Sequence, residues 1–205
     1  MVEYAGVEDL KVEFNTTSAA DGGRGMYIQG CAYCWVRNVE VSHAPQRGIE
    51  PSQVYRNEYR DNYIHDTYST ESIPNHGYGV LLEGYSTSNL FENNVLYRML
   101  APLTIEMGAS GNVLAYNYVK DRSYYGTNWL MWTTASHAAH PSMNLYEGNY
   151  GEGGISADNI HGSASHQTYF RNRILGYQEK APDGTLITNG LQSVSIFQKN
   201  YSSFR

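Results

Sequence analysis

One phrase recurs along this chain and restricts its folding more than any other feature. Asn57-Glu58-Tyr59-Arg60-Asp61-Asn62 returns as Asn89-Leu90-Phe91-Glu92-Asn93-Asn94, as Asn112-Val113-Leu114-Ala115-Tyr116-Asn117 and as Asn144-Leu145-Tyr146-Glu147-Gly148-Asn149. Weaker copies flank these: Tyr33 to Asn38, with Trp35 at the third place, and Gln167 to Asn172, with Tyr169 there. The closing Asn falls at 38, 62, 94, 117, 149 and 172, with spacings of 24, 32, 23, 32 and 23. A base period near 23 with two inserted stretches is the mark of a solenoid. Leucine-rich repeats share that length but need several Leu in a fixed frame, which are missing here.

The segments between the Asn blocks are rich in Val, Ile, Tyr and Thr and broken by Gly, so they read as short strands. Short strands returning at this period predict a β-helix, with one coil per repeat. The Asn repetition then has a physical reason. A buried Asn must satisfy both its amide N–H groups and its carbonyl. Stacked about 4.8 Å apart in successive coils, each amide can bond the next. The large residues at the third place (Trp35, Tyr59, Phe91, Leu114, Tyr146, Tyr169) are expected to stack inside.

These blocks, together with Tyr169-Phe170-Arg171-Asn172-Arg173, resemble the pectate-lyase-like right-handed parallel β-helix superfamily. The likeness covers roughly residues 5 to 176 and carries fold more than activity. It implies an all-β, single-stranded right-handed parallel β-helix of about seven coils. It also implies an extracellular or cell-surface, polysaccharide-active protein, a lyase or a glycoside hydrolase, with a surface groove. The competing class is a non-catalytic carbohydrate-binding or structural β-helix, as in an adhesin, tailspike or fibre component.

Composition narrows the partners. The 205 residues carry a formal net charge of -6, with 19 Tyr and 20 Gly. An acidic chain does not suit nucleic acid, and no apolar run is long enough to span a membrane. Cys31 and Cys34 lie in strand-like sequence, and buried free thiols are expected there ahead of a disulfide, a metal site or redox chemistry.

Counting back from the Asn blocks gives a second register. Val80-Leu81-Leu82-Glu83-Gly84 aligns with Leu103-Thr104-Ile105-Glu106, both Glu lying eleven positions before the closing Asn. Looser matches extend the row to Gln29, Glu50, Thr133 and Asp158, all outward, over Ile28, Ile49, Leu82, Ile105, Trp132 and Ala157, all inward. Stacked carboxylates repel, raising a pKa or recruiting a cation. Glu50, Glu83 and Glu106 are therefore a candidate calcium site; no other cofactor is indicated. Carboxylates one coil apart suit the retaining-glycosidase gap, and two coils, about 9.6 Å, suit the inverting one. Glu83 and Glu106 lead the candidates for acid/base work, followed by Asp158 and His161.

Asp158-Asn159-Ile160-His161-Gly162 is partly similar to the Gly-His-Gly of polygalacturonases, but that family's other motifs are missing, as is the Arg-x-Pro-x-x-Arg of pectate lyases. His137-x-x-His140 without a third ligand is weak for zinc. Inserted stretches follow Asn62 and Asn117, and part of the second is expected at Ser136 to Met143. Loops on a rigid solenoid commonly carry function. Tyr78, Tyr124, Tyr125 and His140 are candidates for contacting sugars, and Lys120 and Arg122 for holding a carboxylate.

The chain is read as one β-helix domain over 1–205, less regular from 177 to 205. Met1-Val2-Glu3-Tyr4 has neither the basic start nor the apolar stretch of a secretory leader. No capping helix is visible, so a piece of a longer chain is expected, or else self-association through the ends or sides of the solenoid.

Overall fold

A computed structural model describes residues 1–15, 23–67, 77–121, 130–178, 180, 184, 186–187 and 194–196. Among these residues every regular element is a strand, and no helix is long and apolar enough to cross a membrane. All but two of the strands form three parallel seven-stranded sheets, each coil contributing one strand to each sheet, and Val2–Glu3 pairs with Cys31–Ala32 in a small parallel sheet of its own.

Sheet A runs Gly6–Glu8, Trp35–Arg37, Glu58–Arg60, Leu90–Glu92, Val113–Ala115, Leu145–Glu147 and Thr168–Phe170. Sheet B runs Lys11–Glu13, Glu40–Ser42, Tyr63–His65, Val95–Tyr97, Tyr118–Lys120, Tyr150–Gly151 and Arg173–Ile174. Sheet C runs Arg24–Gln29, Arg47–Ser52, Tyr78–Leu82, Ala101–Ile105, Thr134–Ser136, Ile155–Ala157 and Val194–Ile196.

Three-residue strands suffice because each places one residue inward and two outward. In Leu90–Glu92 it is Phe91 that is buried, with Tyr59 on one side of it and Leu114 on the other. The rings of Tyr59 and Phe91 stack at 4.5 Å, and those of Tyr146 and Tyr169 at 4.8 Å. Leu114 interrupts the aromatic column without leaving the core. Each such fully buried side chain contributes roughly 1.5–3 kcal/mol.

The Asn column forms as expected. Asn62 Nδ2 donates to Asn94 Oδ1, Asn94 to Asn117, Asn117 to Asn149 and Asn149 to Asn172, each at 2.9 Å. The opening Asn of the phrase builds a second column, where Asn89 donates to Asn112 and Asn112 to Asn144, both at 2.9 Å. Sheet A is thus bracketed by two amide ladders. The corner after it takes left-handed backbone at Asp61, Asn93, Tyr116, Gly148 and Arg171. Asn, Asp and Gly adopt that conformation readily, so Tyr116 and Arg171 are the strained members.

Two expectations need correction. The weak copy at 33–38 slips by one: Val36, not Trp35, pairs with Tyr59, and Val39 N–H donates to Asn62 Oδ1 at 3.0 Å. Asn38 instead turns outward and donates to Asp9 Oδ1 at 2.7 Å. The interval of 24 was the sign, because from 39 the spacing becomes the regular 23. Cys31 and Cys34 are joined in a disulfide rather than held as free thiols. The three-residue separation brings the two side chains together at the turn between two strands, with Cα atoms 6.1 Å apart.

Candidate functional site

The outward face of sheet C carries the acidic row, and backbone pairing sets its members. Leu82 pairs with Ile105, Ile105 with Ser136 and Ser136 with Ala157. One position further on, the chain presents Glu83, Glu106, His137 and Asp158 in successive coils. Gln29 and Ser52 continue the row on the other side, through the Gln29–Ser52 and Ser52–Glu83 pairings.

The expected row therefore holds at Gln29, Glu83, Glu106 and Asp158 and fails at two places. Glu50 sits two residues earlier, paired with Tyr27. A slip of two preserves the face, so Glu50 still points outward. Thr133 is buried, and its Oγ1 accepts the Gly153 N–H at 2.9 Å. Its expected neighbour Trp132 lines the outer cleft instead of the core. The cause is where the second insertion lies. Seventeen positions separate Lys120 from His137, against nine between the equivalent Tyr97 and Glu106. Nearly all the extra chain leaves between sheets B and C, before the row, rather than being divided around it.

His137 is the member that sequence reasoning passed over. The Asn column's own spacing carried a signal: a step of 32 from Glu106 reaches 138, one residue away. Its imidazole Nδ1 meets Asp158 Oδ2 at 2.6 Å, and the Ile160 N–H donates to Asp158 Oδ1 at 3.0 Å. Both Asp158 oxygens are thereby engaged. The Asp158 hydrogen bond raises the His137 pKa above its usual 6.5, and the neighbouring Glu106 charge adds to the rise. Glu106 is raised above the carboxylate norm mainly by burial, opposed by the charges of His137 and Arg47. Glu83 is also raised by burial, and then by the charge of Glu50.

Glu50 has become the buried anchor of this face. Arg24 Nε and Arg47 Nη1 both donate to its Oε2 at 2.5 Å. Two guanidiniums thus supply the countercharge for Glu50 alone, one of the three carboxylates expected to share a cation. Among the described residues no three His, Cys, Asp or Glu are grouped to hold a metal ion.

A cleft of about 450 Å³ opens beside the row, with Tyr78, Thr104, Trp132, His137, Asp158 and Ile160 in its wall. Tyr78 feels the site electrostatically: burial raises its phenol pKa, and the Glu106 charge raises it further. His161 stands edge-on to His137, ring centroids 5.8 Å apart. His140 is exposed, its Nδ1 facing the Ser163 carbonyl at 3.3 Å. Lys120 ends a strand of sheet B and does not share the face of the acidic row. Arg122, Tyr124 and Tyr125 lie outside the described residues.

The arrangement offers a half-buried carboxyl whose pKa is raised, Glu106, and, two coils away, a carboxylate held by two partners, Asp158. Between them stands a histidine, and an apolar-walled cleft runs alongside. The family model described as a right handed beta helix region matches residues 2–174. No curated protein matches the chain. Among solved structures, the chain is similar to the catalytic domain of a GH87 alpha-1,3-glucanase variant in complex with nigerose, with a TM-score of 0.59 and 17% identity. The alignment covers 82% of this chain but only 30% of that one.

Proposed function

The chain belongs to the right-handed β-helix family, and from that premise we propose that it is a polysaccharide-active protein that hydrolyses a glycosidic bond on the outward face of sheet C. The observation that carries this reading is the pairing of Glu106, raised by burial, with the His137–Asp158 couple one and two coils away. Glu106 is the general acid that gives its proton to the leaving oxygen. Asp158 takes a proton from the attacking water, and His137 fixes its orientation. Two coils separate the two backbones by about 9.6 Å, which suits the wider carboxyl gap of an inverting enzyme. The glucanase carried by the similar solved solenoid supports the same class of chemistry. The Cys31–Cys34 bridge supports an oxidising, extracellular setting.

A lyase reading needs a cation or guanidinium facing a uronate carboxylate. Arg24 and Arg47 are already committed to Glu50, so hydrolysis is the better-supported half of the expectation.

A reducing-sugar assay over α- and β-glucans, xylan, galactan and polyuronates, with absorbance at 235 nm for unsaturated ends, tests the class. Glu106→Gln and Asp158→Asn should each lower kcat by about 10²–10⁴ with the circular dichroism spectrum kept. Turnover at the wild-type rate in both variants would remove this site.

A further inference from the structure

The charges on the outward face of sheet C are unevenly matched. Its two guanidiniums, Arg24 and Arg47, both close on the single buried oxygen Glu50 Oε2. Its histidine closes on Asp158. Glu83 and Glu106, stacked in the middle of the row, are left without a cation at ion-pair distance among the described residues. Of the two expected positive contacts, Lys120 belongs to sheet B and Arg122 lies outside the described residues. The cleft wall adds Trp132, Met131 and Ile160, which bring surface but no charge.

We propose that the glycan taken by this site is uncharged, with its hydroxyl-bearing sugars lying along the row from Asp158 towards Glu83 and apolar ring faces against Trp132. The inference rests on the reading of this face as a glycan-cleaving site and names its substrate class. Hydroxyl groups donate well to carboxylates and accept from protonated carboxyls, so a neutral sugar satisfies the row in either state. A uronate would add one more carboxylate to a half-buried stack that already resists ionisation. The burial that lifts Glu83 and Glu106, with the added charge of Glu50, would act on the substrate's own acid group.

The test uses chemically matched ligands: a neutral glucan and the same glucan oxidised at C6 to the carboxylate, with xylan and galactan as further neutral probes. Affinity electrophoresis reads binding, and reducing-sugar release reads cleavage. At low salt the neutral form should bind at least about tenfold more tightly than the oxidised form. Half-molar salt should narrow the gap by screening, as should Glu83→Lys, and the salt experiment stands even if that variant folds poorly. Oxidised glucan bound as well as neutral glucan, or no retardation by any neutral probe, overturns the inference. Binding of neutral glycan without cleavage supports it while removing the hydrolase reading. Cleavage of the oxidised form at the neutral rate, lost in Glu106→Gln, does the reverse.

Discussion

Asn94→Ala tests the physical basis of the solenoid. The side chain is 1% exposed. Its Nδ2 donates to Tyr59 O at 3.0 Å and to Asn117 Oδ1 at 2.9 Å. Its Oδ1 accepts from Asn62 N at 3.1 Å and from Asn62 Nδ2 at 2.9 Å. Truncation removes all four bonds and strands their partners where water does not reach. At about 1 kcal/mol for each bond, and more where a group is left bare, the loss is about 4 kcal/mol. That is a large share of the roughly 5–15 kcal/mol that holds a typical domain. Asn93→Gly is the control, since Asn93 is exposed, makes one surface bond to Asp61 and stands on left-handed backbone that Gly adopts without strain; its cost should stay within about 0.5 kcal/mol. Asn172→Ala should fall between, because Asn172 is only half buried. Urea unfolding followed by circular dichroism gives the three values. Equal midpoints for the Asn94 and Asn93 variants would refute the claim that the ladder holds the coils together.

Gly79→Ala should cost about 2–3 kcal/mol by overpacking, because a Cβ there would lie 2.7 Å from the Pro102 carbonyl oxygen and 2.3 Å from Met99 Sδ. Thermal melting checks it, and an unchanged midpoint would show that the coil can give way. Reducing the Cys31–Cys34 bridge should cost only about 2 kcal/mol, since it closes a very short loop; urea midpoints with and without reductant, alongside thiol counting, measure this. His137 carries a pKa raised in the folded state, so its stabilisation is complete below about 6.5 and is lost as pH rises through the folded value. Glu83 and Glu106 are also raised, so their contribution fades in the same direction, beginning near the usual carboxylate value. Stability should therefore fall from pH 5 to pH 8, and less steeply above pH 6 in His137→Gln. A slope of opposite sign assigned to these groups by NMR titration would contradict the geometry.

Much of the architecture was legible because it follows from local rules. Asn62, Asn94, Asn117, Asn149 and Asn172 announce a column, since a buried amide needs a partner and its twin one coil away is the nearest one. Period-two alternation correctly placed Leu82 and Ile105 inside and Glu83 and Glu106 outside. Glu50 stayed on the right face despite an error of two, for the same reason. Trp35 and Asn38 misled because their copy was weak, and the polar Asn38 satisfied the pattern one residue away from the true position at Val39.

The sequence by itself determined that this chain winds into a β-helix and which way most of its side chains point. Those properties depend on residues close together in the chain or repeated at a near-constant interval. Only the tertiary structure decided that Glu50 is clamped by Arg24 and Arg47, that His137 stands where Thr133 was expected, and that Asp158 receives it. Vertical neighbours in a solenoid come from positions two or three dozen residues apart, and an inserted loop absorbs length without marking where it leaves the coil. The backbone hydrogen-bond ladder alone identifies that point, and with it which charges meet.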